Sequence, residues 1–352
     1  PIPVCRGLVV DFTHMNRIID VREEDFQADV EPGVIYQDLN VALRHSGLFF
    51  PPDPGARATI GGIVANNASG TRTVHYGSAR DFVQRLVVVL AGGEVIEMGT
   101  RAAKSSSGYD MVNLFVGAEG TLGLVVEATL RLVGLPETLS AAVVTFPDVN
   151  AAAKAVFEVI RGGLDPAALE LLDTECIDLI NKEKNLGLDV SPTLFFEFHG
   201  ASDNQVAETV TLVEEICRDR GATDFRFGLG RDDWQRLFGA RHEMGEMIVR
   251  NHPGCGIFVI DVAVPMTAYP TLIADAKAEL AQTGITGYVF SHAGDGNLHL
   301  NLVGPNNDDK AWSHIKAISN RMVAGAIAAG GTATGEHGVG IGKRSYMEAE
   351  HG

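Results

Sequence analysis

The chain has 352 residues, 45 % hydrophobic and 21 % charged, with a formal net charge of −17. That length supports two domains and a sizeable core. The acidic balance argues against nucleic acid as a partner, because phosphate binding needs basic surface, and disfavours a broad anionic membrane surface. No apolar run reaches the ~20 residues of a transmembrane segment. Glycine is 40 of 352 residues, a surplus over the usual ~7 % that predicts close backbone approaches. Cys5, Cys176, Cys217 and Cys255 show no Cys-x-x-Cys spacing, and Cys176 and Cys217 fall on apolar faces of predicted helices. They read as buried thiols in a reducing compartment. The chain opens on Pro1 and stops in what reads as a helix start, so targeting is not legible and both ends look trimmed.

Residues 7–11 predict a short buried strand, and residues 18–30 two more strands with a turn at Glu23-Glu24. Helical spacing follows over 34–44, with Gly47 as a stop. The prolines of 49–56 predict a loop. Residues 59–70 carry glycine pairs that suit either a ligand cradle or a turn around a short buried helix. A hairpin is predicted over 85–98 across Gly92-Gly93, and a polar loop over 104–109. The Gly-rich stretch 114–126 can offer free backbone N–H groups to an anion or ring edge. A strand at 129–133 closes this unit, whose short strands and Gly turns argue for α+β architecture.

The texture changes near Pro136, giving predicted domains 1–137 and 138–352. In the second, strands are predicted at 141–146, 194–198 and 257–264. Helices are predicted at 149–161 with Asp148 as N-cap, and at 169–180, 205–218, 234–249, 269–280 and 309–329. This predicts an antiparallel sheet with helices on one side.

Tyr288-Val-Phe-Ser-His-Ala-Gly-Asp-Gly-Asn-Leu-His-Leu-Asn-Leu302 predicts a hairpin about an Asp295-Gly296 turn. In that register Gly294 faces Asn297, Ala293 faces Leu298 and His292 faces His299, with Asn301 on the same face. Two adjacent imidazoles form a metal-ligand arrangement once a carboxylate joins them. Glu336 is the candidate, and its neighbour His337 a candidate base. Taken alone, the two histidines also suit a half-exposed sheet face, and Thr334-Gly-Glu-His-Gly338 also suits a turn after a helix.

Pro52-Asp-Pro-Gly-Ala56, Ile60-Gly-Gly62, Ala65-Asn-Asn-Ala-Ser-Gly70, Tyr76-Gly77 and Gly117-Ala-Glu-Gly-Thr-Leu-Gly123 resemble the FAD-binding domain of the vanillyl-alcohol oxidase and p-cresol methylhydroxylase type. His292-Ala-Gly-Asp-Gly-Asn-Leu-His299 and Gly335-Glu-His-Gly338 resemble the C-terminal domain of its FAD-linked 2-hydroxy-acid dehydrogenases. Acceptor-linked D-lactate dehydrogenases, the glycolate oxidase large subunit and D-2-hydroxyglutarate dehydrogenases are the members it is most similar to. The resemblance implies FAD held by Pro52, Gly55, Ala56, Thr59, Gly61, Gly62, Asn67, Ser69, Gly70, Gly77, Glu119, Gly120, Gly123 and Val125. It implies a divalent cation, zinc with manganese or iron as alternatives, on His292, His299 and Glu336. His337 would be the catalytic base, with Arg241 on the substrate carboxylate and Asn301 placing the substrate.

The implied reaction is oxidation of a D-2-hydroxy acid, D-lactate first, to the 2-oxo acid. Glycolate and D-2-hydroxyglutarate are alternative substrates. A His-His-Glu zinc hydrolase and a non-catalytic subunit of a flavoprotein complex are alternatives of other classes. An electron acceptor is implied, a cytochrome, quinone or electron-transfer flavoprotein, and either a homodimer or a heteromeric oxidase complex would fit. The implied location is cytoplasmic or peripheral to the inner membrane, and mitochondrial in a eukaryote. Two departures stand out: no Gly-Gly-Gly-Thr-type pyrophosphate loop precedes Gly7, and no Asn-Pro-Gly-Lys segment follows the last helix. A lesser one is Gly256, where some lactate-type members carry lysine.

Overall fold

The computed structural model describes residues 7–352; Cys5 lies outside them. The chain forms two compact units. One runs up to Leu135 and takes in Glu336–Gly342; the other comprises Pro136–Gly335 and Lys343–Gly352.

The first unit contains strands β1 (Ile18–Arg22), β2 (Gln27–Val30), β3 (Leu48–Phe49), β4 (Val83–Val89), β5 (Val95–Gly99), β6 (Leu124–Arg131) and β7 (Val133–Gly134). Its helices are α1 (Tyr36–Leu43), α2 (Ile60–Asn66), α3 (Thr73–Tyr76) and α4 (Met111–Phe115). Five strands form an antiparallel sheet in the order β1-β2-β6-β4-β5, and β3 pairs with β7. Alternation along β4 and β6 puts Leu86, Val88, Ala128 and Leu130 on one face, where they meet Leu39 of α1 and Ile60, Ile63 and Val64 of α2. Thr59 caps α2 by accepting from the Gly62 N–H, and Asn67 ends it in the left-handed region. The strand expected over residues 7–11 is not there, since these residues pair with no strand among the described residues. A strand needs a ladder partner to satisfy its backbone.

The second unit contains β8 (Thr138–Thr145), β9 (Ala168–Leu172), β10 (Thr193–Gly200), β11 (Asp224–Leu229), β12 (Cys255–Ala263), β13 (Gly287–His292) and β14 (Asn297–Pro305). Its helices are α5 (Val149–Arg161), α6 (Thr174–Lys184), α7 (Asp203–Asp219), α8 (Arg231–His242), α9 (Met244–Asn251), α10 (Tyr269–Thr283), α11 (Asp309–Ala328) and α12 (Met347–His351). The seven strands form one antiparallel sheet in the order β11-β8-β10-β9-β13-β14-β12. Asp148, Asp173, Ser202 and Asp308 cap the helices that follow them.

The sheet is antiparallel as the pattern predicts, but helices cover both of its faces. Leu194 and Phe196 pack with residues of α5, α7, α10 and α11, while Phe195 packs with α6, α8 and α9. The apolar run of β10 therefore has both sides buried, which a half-exposed strand would not allow. The helix expected over 169–180 is a strand followed by a helix. Ala168–Leu172 is a wholly buried central strand, and Asp173 starts α6 after it. The helix expected over 234–249 is split at Glu243 into α8 and α9, and β11 was not anticipated. Cys176 and Cys217 are buried free thiols, as their helix faces imply. Among the described residues, no helix is long and apolar enough to cross a membrane.

Candidate active site

Within the second unit, the β13–β14 hairpin carries the candidate ligands. His292 pairs with Asn297 and Phe290 with His299, so the connection is residues 293–296 and not a two-residue Asp295-Gly296 turn. The register expected from sequence was displaced by two. The cause lies at Gly296, which has a φ of +78°. Its carbonyl accepts from Val264 N at 3.1 Å, and an added Cβ would sit 2.2 Å from the Val264 carbonyl oxygen. The Asp-Gly pair is thus docked on the end of β12 and cannot form the tight turn. A shift of two leaves every side chain on its original face, because the side-chain period of a strand is two. His292 and His299 are 5 % and 3 % exposed, with ring centroids 5.0 Å apart and planes at 89°.

Each imidazole has a buried carboxylate behind it, and sequence reasoning named neither acid as a site residue. Glu170 of β9 accepts from His292 Nδ1 at 2.7 Å, so Nδ1 carries a proton and Nε2 is the nitrogen a metal would use. Asp261 of β12 is the cross-strand neighbour of His299, with Oδ1 3.8 Å from His299 Nδ1. The signal that could have found both is the same: a lone acid inside an apolar strand run is rarely buried without a task.

Arg241 projects from α8 onto this group and is 6 % exposed. Its Nε and Nη2 reach Glu170 Oε2 at 2.7 and 2.6 Å, and its guanidinium carbon lies 4.9 Å from the Phe290 ring centroid. Burial pushes the Glu170 carboxyl up, but His292 and Arg241 outweigh it and hold it below its ordinary value. Two of the nitrogens expected to clamp a substrate are therefore committed to a protein carboxylate. Asn301 is 4 % exposed and faces Tyr288 and Val259. Its Oδ1 is buried with no hydrogen-bond partner among the described residues. A buried orphan acceptor is costly and marks a place where a ligand atom would be welcome.

Within the first unit, Glu336 accepts from Ser69 Oγ at 3.1 Å, and the half-exposed His337 lies with Nε2 3.5 Å from Glu336 Oε1. Glu119 holds the same segment, with Oε1 accepting from Val339 N at 2.6 Å and Oε2 from Gly340 N at 2.9 Å. A cleft of about 240 Å³ has Thr59, Gly61 and Gly62 on its wall, together with Glu119, Gly120, Gly123 and Val125. An added Cβ at Gly61 would strike Pro32 Cβ at 2.6 Å, and at Gly123 Val88 Cγ1 at 2.6 Å, so those glycines serve the unit's own packing. Gly120 meets nothing within 4 Å, and its missing side chain leaves room beside the cleft.

The other expected FAD residues do not line that cleft. Pro52, Gly55 and Ala56 lie in the loop that Tyr36 anchors through Asp53. Gly70 abuts the Asp53 carbonyl, where a Cβ would fall at 1.8 Å. Asn67 Oδ1 accepts from Arg80 N at 2.9 Å, Gly77 packs on Asp81, and Ser69 is spent on Glu336.

Comparison with known proteins gives a consistent result. Residues 135–352 match the family model described as FAD linked oxidases, C-terminal domain, and residues 2–99 match FAD binding domain. The chain is 41 % identical over 349 residues to probable D-lactate dehydrogenase, mitochondrial, of Danio rerio, covering 98 % of this chain and 70 % of that protein. It is 37 % identical to the mitochondrial D-lactate dehydrogenase (cytochrome) of Arabidopsis thaliana, covering 98 % of this chain and 61 % of that protein. It is 36 % identical to glycolate oxidase subunit GlcD of Bacillus subtilis, covering 98 % and 74 %. Among solved structures, 4-ethylphenol oxidase from Gulosibacter chungangensis superposes with a TM-score of 0.73 at 17 % identity, covering 96 % of this chain and 74 % of that one. p-Cresol methylhydroxylase gives 0.67 at 16 %, covering 91 % and 70 %. These two likenesses bear on the fold, which is of the p-cresol methylhydroxylase type. With an FAD-binding domain ahead of the matching C-terminal domain, the chain belongs to the FAD-linked oxidases.

Proposed function

We propose that this chain oxidises a D-2-hydroxy acid, D-lactate in the first instance, to the 2-oxo acid, with residues 1–137 serving FAD and residues 138–352 serving substrate and cation. The observation that carries the reading is the buried His292–His299 pair, one ring locked by Glu170, beside the orphaned Asn301 Oδ1. Two imidazoles and a carboxylate are a donor set suited to zinc, with manganese or iron as alternatives. Support for Glu336 as the carboxylate comes from chain continuity. An added Cβ at Gly335 would lie 1.8 Å from Asn297 Nδ2, and Glu336 is the next residue.

FAD supplies the hydride acceptor and the cation a Lewis acid. His337 takes the hydroxyl proton. Arg241 meets the substrate carboxylate with its Nη1 edge, since Nε and Nη2 are held by Glu170. Asn301, on the same face of the hairpin as the two histidines, places the substrate. D-Lactate is favoured by the names of the relatives, and glycolate stays as a second reading because GlcD is 36 % identical. The same names favour a cytochrome over a quinone or electron-transfer flavoprotein as acceptor, and a mitochondrial location in a eukaryote.

The test is flavin bleaching in the full-length protein on addition of D-lactate, L-lactate or glycolate. D-Lactate should bleach it, and failure of both D-lactate and glycolate overturns the reading. His337→Ala should lower turnover by about 10²–10⁴ while the cation content stays unchanged. Loss of the cation with residual oxidation would instead make His337 a ligand.

A further inference from the structure

Asp261 has 0 % exposure in a strand otherwise apolar on both sides of it. A carboxylate in such a place needs partners, and it draws them from three stretches of the second unit. Asn297 Nδ2 donates to its Oδ1 at 2.8 Å, and Thr334 Oγ1 to its Oδ2 at 3.0 Å. Lys343 Nζ donates to its backbone carbonyl at 2.6 Å and lies 3.5 Å from Oδ2. The Thr334 stretch is itself fixed, because Thr332 N donates to the Ala263 carbonyl at 2.8 Å and Ala333 N to Glu350 Oε2 at 2.9 Å.

Thr334 and Lys343 stand on either side of Glu336–Gly342, the segment that leaves the second unit and belongs to the first. Both stems of that excursion therefore close on one aspartate. Gly335 adds a third constraint, since a Cβ there would fall 2.8 Å from Asp261 Oδ1. A buried acid is seldom worth keeping for stability alone, because an apolar residue of like volume serves as well. Here the acid joins two points far apart in sequence from itself and close to the candidate ligand and base.

We propose that Asp261 is a positioning residue, a clasp that fixes both ends of the 336–342 segment and thereby the orientation of Glu336 and His337. The proposal rests on the roles given above to those two residues. Its test uses the full-length, FAD-loaded protein and the variants Thr334→Val, Lys343→Met, Lys343→Arg and Asp261→Asn. Two readouts are taken: amide hydrogen exchange of the peptide spanning 336–342, and zinc affinity by titration.

Thr334→Val and Lys343→Met should each speed exchange in that peptide about tenfold, with exchange in the β13–β14 hairpin and the flavin spectrum unchanged. Zinc should bind about tenfold more weakly, and kcat should fall while KM holds. Lys343→Arg should restore both readouts in part, which a merely packed lysine would not require. Unchanged exchange in Thr334→Val and Lys343→Met overturns the clasp, whatever the metal does. Should the wild type bind no divalent cation, the metal reading falls, while exchange still decides whether Asp261 holds the segment. If Asp261→Asn does not fold, the two single-stem variants carry the decision.

Discussion

A carboxylate with no solvent exposure costs several kcal/mol unless it is paired, and Glu170 is paired twice, with Arg241 and with His292. The two pairings do different things. Arg241 caps one carboxylate oxygen through two nitrogens, whereas His292 donates Nδ1–H to the other and has its ring orientation fixed in return. Glu170→Ala should destabilise the protein by about 3–5 kcal/mol in urea unfolding, since it strands a buried guanidinium. Glu170→Gln keeps the volume, should cost about 1–3 kcal/mol, and should weaken zinc binding about 10- to 100-fold. Wild-type zinc affinity in Glu170→Gln would reduce the carboxylate to a counter-ion of Arg241. Sequence reasoning put His292, His299 and Asn301 on one face because face parity along a strand needs only counting. It could not reach the Glu170–Arg241 pair, whose members are 71 residues apart and meet only after β9 and α8 have packed. Nor could it see that Gly70 and Gly77 lie close against Asp53 and Asp81 of neighbouring stretches.

Elements were legible where periodicity was unambiguous and failed where it was not. Residues 149–161 gave a helix with the expected Asp148 cap, because the apolar stripe and the capping residue agree. Residues 168–172 did not, because a short run apolar on every side looks alike as buried strand or buried helix. The junction after that strand carries its own titration. Asp173 caps α6 through Cys176 N, accepts from Val289 N at 3.0 Å, and meets Lys277 Nζ at 2.9 Å. Burial pushes its carboxyl up to about 6, although Lys277 pulls the other way. A carboxyl whose folded-state pKa lies above its unfolded value binds the proton more tightly when folded. The wild type therefore gives up stability as pH rises from about 3.8 to about 6, and the loss is complete above that window. Asp173→Asn, still a competent cap, removes this slope. Its stability relative to wild type should rise across the window by at most about 3 kcal/mol, read by urea unfolding at pH 4, 5, 6 and 7. A difference that stays constant with pH would show that the proton is not held at this junction.

At the scale of the whole molecule, antiparallel architecture was legible from short strands and Gly turns, but strand order was not. The sheet order β11-β8-β10-β9-β13-β14-β12 joins strands distant in sequence, and no local pattern encodes such neighbours. Charge is the whole-molecule property that sequence does give. A formal net charge of −17 repels anionic partners and draws cationic ones at a distance, so it acts on encounter rates and not on the fold. The acceptor proposed above is a cytochrome, and for an acidic donor a basic one is what long-range attraction would bring in. Electron transfer from the substrate-reduced full-length protein to a basic cytochrome should then slow by about tenfold or more as salt rises from roughly 20 to 300 mM, because the screening length shrinks well below the size of the protein. An uncharged quinone analogue should show almost no salt dependence in the same stopped-flow assay. Equal salt dependence for both would place the slow step inside the protein. No dependence for the cytochrome would mean that the acidic surface lies away from the docking face, leaving contact chemistry to select the acceptor.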